Sequence, residues 1–266
     1  MKKIKLLLVS VLAFASIASS ASASPVNPDK NQQAAKTTTD VVVDGTLVGT
    51  RTTSIELKRE SIGDNVTVNM ISTTHYDLLP SATNEQKDFY QDKTESTVIE
   101  KADNQYYVDG VKLDDTATTE PIIDLGVNKN PLNALAASTD SGGIPEISHY
   151  YGNYQTYYFA SYDSFKFWTG WGPAGNSVQK SNVSINNPYT SLAIMNISSF
   201  ASYHSSMKLN TLSLMEILGL AAINIPDVIG AIVAGGAAAV QASMVYDAYN
   251  NAHDTLSAAY GYISHM

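Results

Sequence analysis

The stretch VIGAIVAGGAAAVQASMV, Val228 to Val245, runs 18 residues without a charge. It holds six Val or Ile, one Met, six Ala and three Gly. Read as one helix it spans about 27 Å, slightly short of a ~30 Å hydrocarbon core. Its branched residues contribute about −2 to −4 kcal/mol on an insertion scale, and Gly235, Gly236 and Gln241 work against that. A permanent membrane span is therefore not supported. Small residues recur every four positions at Gly230, Ala234, Ala238 and Ala242, with a second row at Ala231, Gly235, Ala239 and Ser243. Such rows let another helix approach closely, in lipid or in a soluble core, and also offer a route to an oligomer. Gly230, Ala234, Gly235, Ala238 and Ala242 are the candidate packing or membrane face.

Upstream, Asn224 is placed to cap this helix, with Pro226 in its first turn and Asp227 at the third position, facing free N–H groups. Downstream, Tyr246, Tyr249, Leu256, Tyr260 and Ile263 form one apolar helical stripe. Ser198–Leu218 carries Met207, Leu212, Met215 and Leu218 at helical spacing. Two arrangements follow. In one, 228–245 is a central core helix wrapped by its neighbours. In the other, Leu209–Ile225 and Val228–Val245 are limbs of a conditionally inserting hairpin, which resembles in outline the buried hairpin of pore-forming colicins. Glu216 in the first limb, and the lack of basic faces, depart from that pattern.

Residues 150–171 carry Tyr150, Tyr151, Tyr154, Tyr157, Tyr158, Trp168 and Trp171 among other aromatics. Tyr and Trp together suit protein or carbohydrate recognition and membrane interfaces. Equally, they suit packing over a helix whose Ala and Gly leave volume to fill. The region 150–266 is read as mainly helical.

The first half differs. Residues 24–130 carry 18 acidic and 10 basic residues, whereas 131–266 carry only 7 and 3. Asp40–Val43 and Thr46–Lys58 are β-branched runs joined by Asp44-Gly45, a hairpin dipeptide. Val66–Leu78 places Val68, Met70 and Tyr76 on one alternating face, and Thr94–Lys101, Gln105–Val108 and Val111–Leu113 continue a meander. Its many Thr and Ser predict a sheet wet on one side. Residues 81–93 suit a short surface helix. The fold class is thus α+β: an antiparallel β-meander over 38–130, a linker over 131–149, then an aromatic- and Ala/Gly-rich helical region. Residues 24–37 read as a disordered lead.

The N-terminus reads as a secretory signal peptide. Lys2, Lys3 and Lys5 form a basic region, Leu6–Ile17 is apolar, and Ala21-Ser22-Ala23 supplies the small residues for cleavage after Ala23. The remaining 243 residues carry a formal charge of −12 and no cysteine. That excludes disulfide scaffolds, thiol nucleophiles and Cys-ligated metals. The acidity disfavours nucleic acid and unaided binding to anionic membranes.

Catalytic signals are lacking, so no enzyme, cofactor or metal is expected. The five histidines, His75, His149, His204, His253 and His265, show no metal-ligand spacing. No Gly-x-Ser-x-Gly elbow or phosphate-cradling loop occurs. Asp114-Asp115 reads as solvated surface. Asp163, His204 and a serine have no sequence relation that brings them together.

The signal ending Ala21-Ser22-Ala23, the acidic Cys-free chain and the small-residue helix after an aromatic segment resemble the large unmodified bacteriocins exported by bacilli, of the geobacillin type. The resemblance implies a secreted, heat-labile antibacterial protein acting on related Gram-positive bacteria. The charge of −12 then requires a receptor on the target envelope. No residue carries over as functional. The other reading is a non-catalytic extracellular or cell-surface binding protein, with the aromatic segment as contact surface.

Overall fold

A computed structural model of the chain describes residues 32–113, 123–124, 147–151, 157–162, 165–172, 176–184 and 186–266. The expected signal peptide, the expected linker up to residue 146, Tyr154, Asp114-Asp115 and Asp163 lie outside the described residues.

Six strands form one antiparallel meander in the order β1 to β6. They are β1 (Gln32–Val43), β2 (Thr46–Ile62), β3 (Asn65–Leu78), β4 (Lys93–Ala102), β5 (Gln105–Val108) and β6 (Val111–Lys112). The turns are local chemistry. Asp44 and Gly45 hold φ of 47° and 71°, the two positive values a primed turn needs to match the strand twist. Asp109-Gly110 repeats this at 49° and 76°. Between β3 and β4 lies α1 (Asn84–Phe89), opened by a reciprocal capping box of Thr83 and Gln86.

On β3, side chains alternate between buried and exposed, as the period-two pattern predicts. The inward face is not uniform. Val66, Val68 and Met70 give way to buried Ser72 and Thr74. Across on β2, Leu57 and Ile55 pair with Met70 and Ser72, and Thr53 and Arg51 pair with Thr74 and Tyr76. The inner face is therefore apolar at one end and polar at the other.

Three helices cover that face: α2 (Pro188–Leu218), α3 (Ile225–Ala234) and α4 (Ala237–His265). Asn187 caps α2, with Pro188 at its start and left-handed Gly219 at its end. Asn224 and Asp227 form the expected cap of α3. Helices α2 and α4 run antiparallel. Gln241 Nε2 donates to Asn210 O and Oδ1 at 3.1 and 3.0 Å near one end, and Tyr189 stacks on Tyr262 near the other. A second antiparallel sheet, β8 (Ile147–Tyr151), β9 (Tyr157–Tyr162), β10 (Phe167–Trp171) and β11 (Ser177–Lys180), packs on α4. A two-residue bridge pairs β7 (Ile123–Asp124) with β12 (Ala222–Ile223). One core joins all of this, with Leu57, Val68 and Ile99 from the meander meeting Phe159, Trp168, Leu214, Ile229, Val245 and Leu256.

Four features differ from the sequence reading. The described strand residues within the aromatic stretch 150–171 belong to β8, β9 and β10, where helix was expected. Phe159 and Ser161 are buried two residues apart on β9, and Trp168 and Gly170 likewise on β10, a period of two that the count of aromatics hides. The lead predicted over 24–37 yields to β1 from Gln32, because residues 32–37 pair with Lys58 to Thr53 of β2. Helix α2 starts at Pro188, ten residues before the expected Ser198, at a cap masked by β-prone neighbours. Finally, 228–245 is not one helix. Gly235 and Gly236 hold φ of 81° and 80°, which no helix accommodates, and the chain breaks there. Arg59 Nε donates to Val233 O at 3.1 Å and satisfies a carbonyl at the end of α3.

Candidate functional site

The break at Gly235 changes the small-residue rows. Ala242 is fully buried, and Ala238 and Gly230 are half-buried. A Cβ on Gly230 would lie 3.4 Å from Tyr106 Oη, so that position faces the meander. Ala234 is exposed at the end of α3. The four positions therefore do not line one continuous helix face. Among the described residues, no helix is long and apolar enough to cross a membrane.

The aromatic candidates separate too. Trp168 is fully buried, and its indole N–H donates to Phe165 O at 2.8 Å, so it belongs to the core and not to a contact surface. Tyr150 and Tyr151 on β8 stand opposite Tyr158 and Tyr157 on β9, and Trp171 on β10 also pairs with Tyr158.

Two features emerge, the first within the expected limb Leu209–Ile225 and the second in no segment singled out from the sequence. The first is an apolar end on α2. Leu209, Leu212, Ile217, Leu218 and Leu220 are 62%, 36%, 51%, 36% and 39% exposed. Leu209, Leu212 and Ile217 share one side of the helix by their three-, five- and eight-residue spacing. Thr211, Leu214 and Met215 take the buried side. Exposed Ser213 and Glu216 fall on the same side as these three, so polarity in the sequence does not separate the two faces.

The second is the polar end of the sheet face, where it meets α2 and α4. Arg51 and Asp247 are only 4% and 7% exposed. The Arg51 guanidinium sits 3.8 Å over the Tyr203 ring, and its Nη2 donates to Ser206 Oγ at 3.4 Å. Burial raises the Asp247 carboxyl above the usual range, against the opposing pull of the Ser72 hydrogen bond and of Arg51. Tyr76 Oη and Tyr203 Oη share a hydrogen bond of 3.2 Å, and Ser199 Oγ donates to Tyr90 Oη at 3.3 Å. Burial first, then Tyr203, pushes Tyr76 upward, and burial does the same to Tyr90. These phenols remain protonated at neutral pH and act as hydrogen-bonding groups, not bases.

Beside this network a cleft of about 250 Å³ opens between β3, the α1–β4 connection, α2 and α4. Tyr76, Phe89 and Tyr203 supply aromatic walls, and Asn196, Asn251 and Gln91 supply amides. Lys93 and Asp254 line it with opposite charges, and Lys93 Nζ also pairs with Glu95 at 2.7 Å. At the outer edge, Asp92 accepts from Tyr76 N–H at 3.0 Å and meets His75 Nδ1 at 2.6 Å. Those two contacts, the backbone one first, hold its carboxyl below the usual range. The one legible signal for this seam was the change from Met70 to Ser72 and Thr74 within the β3 alternation.

Among the described residues, no three His, Cys, Asp or Glu side chains gather closely enough to hold a metal ion. Comparison of the chain with family models, with curated proteins and with solved structures gives no match.

Proposed function

We propose that this is a secreted antibacterial protein acting on the envelope of Gram-positive bacteria, and that it engages that envelope through the apolar end of α2. The observation that carries the reading is the exposed set Leu209, Leu212, Ile217, Leu218 and Leu220, gathered at one end of an acidic chain. Exposed apolar patches mark protein or membrane contacts, and here Ser213 and Glu216 are interspersed among the apolar side chains. The net charge opposes attraction to anionic lipid, so apolar contact or a receptor has to supply the affinity.

Magnitudes favour this surface over the 228–245 segment as effector. Val228, Ile229 and Ile232 are at most 1% exposed. Exposing three such side chains costs about 5–9 kcal/mol, comparable to the ~5–15 kcal/mol that holds a whole domain together. Using α3 at a membrane amounts to unfolding the protein, whereas the end of α2 is already outside. Truncation before Val228 removes α3 and α4, and with them the core.

The test is growth inhibition of a Gram-positive panel by the purified protein, native and heat-treated, alongside Leu209→Ser/Leu212→Ser/Ile217→Ser. The triple variant is expected to lose inhibition while its Tm falls little, since exposed substitutions change stability by about 0.5 kcal/mol or less each. Full activity in the variant would refute the α2 contact. Absence of inhibition by the native protein on every species would remove the antibacterial reading. The second reading, a non-catalytic extracellular binding protein, would then stand, favoured by the aromatic cleft.

A further inference from the structure

We infer that the cleft between β3, the α1–β4 connection, α2 and α4 is a binding site for a single neutral sugar ring. This goes beyond the antibacterial reading and does not depend on it. Size comes first. At about 250 Å³ the cleft falls below the ~300–1,000 Å³ typical of drug-sized sites, which suits one ring with its substituents.

Hydrogen-bonding character comes next. Each of the three lining amides is anchored by one N–H. Asn196 Nδ2 donates to Leu192 O at 2.8 Å, Asn251 Nδ2 donates to Asp247 O at 2.9 Å, and Gln91 Nε2 donates to Lys87 O. The anchoring fixes each side chain's direction. It leaves every amide a second N–H and a carbonyl oxygen, neither with a partner among the described residues. An adjacent donor and acceptor on one rigid group complements adjacent hydroxyls, each of which both donates and accepts. A primary ammonium ion, with donors only, or a dianionic phosphate monoester, with acceptors only, leaves half of this set unused. The Tyr76–Tyr203 pair adds to the match, because one hydroxyl donates to the other and the second proton remains available.

Charge and shape agree. Lys93, paired with Glu95, and Asp254 line the same cleft, so no cluster of like charge marks the site for an ion. Phe89, Tyr76 and Tyr203 give the cleft an aromatic lining, the kind of wall that suits the C–H face of a pyranose. One face of Tyr203 is already taken by Arg51, which stiffens that wall.

Saturation-transfer NMR on the purified protein tests this. Glucose, galactose and N-acetylglucosamine are compared with methylammonium and methyl phosphate, whose methyl protons report binding in the same experiment. Transfer to at least one sugar is expected, with a Kd on the order of millimolar for a ligand this small. Ala258→Phe places a bulky group on the cleft wall without removing any hydrogen bond, and should weaken binding at least about tenfold at an unchanged Tm. Gln91→Ala, at an exposed position, should weaken binding of the same sugar if Ala258→Phe fails to fold. No transfer to any sugar, transfer that survives both variants, or binding of methylammonium or methyl phosphate in place of the sugars would overturn the assignment.

Discussion

Gly235→Ala distinguishes one long helix from two helices by the sign of its effect. Within a continuous helix over 228–245, Gly→Ala would stabilise the protein by about 1 kcal/mol, from helix propensity alone. The structure predicts the opposite. Gly235 sits at φ 81° and ψ −176°, a region essentially closed to side-chain-bearing residues. Forcing an alanine there costs about 1–3 kcal/mol. Space adds little to this, since a Cβ at this position would meet Arg59 Cδ first, at 3.5 Å, an ordinary contact. Gly235→Leu should therefore fall within about 1 kcal/mol of Gly235→Ala, because both suffer the same backbone strain. Close helix packing would instead separate them by an overpacking cost of about 1–3 kcal/mol for the leucine. Gly236→Ala, with φ 80° and no atom within 4 Å, should behave like Gly235→Ala. For a chain of this size each kcal/mol moves Tm by about 2–4 °C, so the expected fall is about 2–12 °C. Urea and thermal denaturation of the purified protein measure it. An unchanged or raised Tm in Gly235→Ala would refute the broken helix, and a leucine variant far below the alanine one would restore the packing explanation.

Two further outcomes follow from burial. Asp247, whose carboxyl is held above its ordinary pKa chiefly by burial, favours the folded state fully only at pH below the ordinary carboxylate value. That contribution is lost as pH rises through the raised folded value, so a buried carboxyl at this position lowers stability on the alkaline side relative to the acid side. Asp247→Asn keeps an acceptor for Ser72 and should raise Tm at pH 7.5 while flattening the pH dependence of stability on its acid side. A Tm several degrees lower at pH 7.5 would mean that attraction to Arg51 outweighs desolvation. Trp168→Ala, at a side chain with 0% exposure, should cost about 3–5 kcal/mol in urea denaturation. Retained stability with lost binding would instead make Trp168 a contact residue.

What could be read directly is local. Asp44-Gly45 and Asp109-Gly110 set their turns because positive φ is a property of those residues. Asn224 and Asp227 form their cap because the bonded atoms lie three residues apart. The β3 alternation identifies a sheet face within one strand. The cap at Asn187-Pro188 is equally local, yet the β-prone residues beside it hide it.

By itself, then, the sequence determined the α+β class, the meander with its turns and the capped start of α3, all interactions within a few residues. Tertiary structure alone decided that the aromatic segment forms strands, because β-propensity expresses packing against neighbours that the segment cannot specify. It also decided the cleft, where Tyr76 meets Tyr203 across 127 positions, and the polar network beside it, where Arg51 meets Ser206 across 155. No periodicity spans such separations. The contacts exist because burial of the apolar half of the sheet against α3 and α4 brings its polar half against α2 and α4 as well.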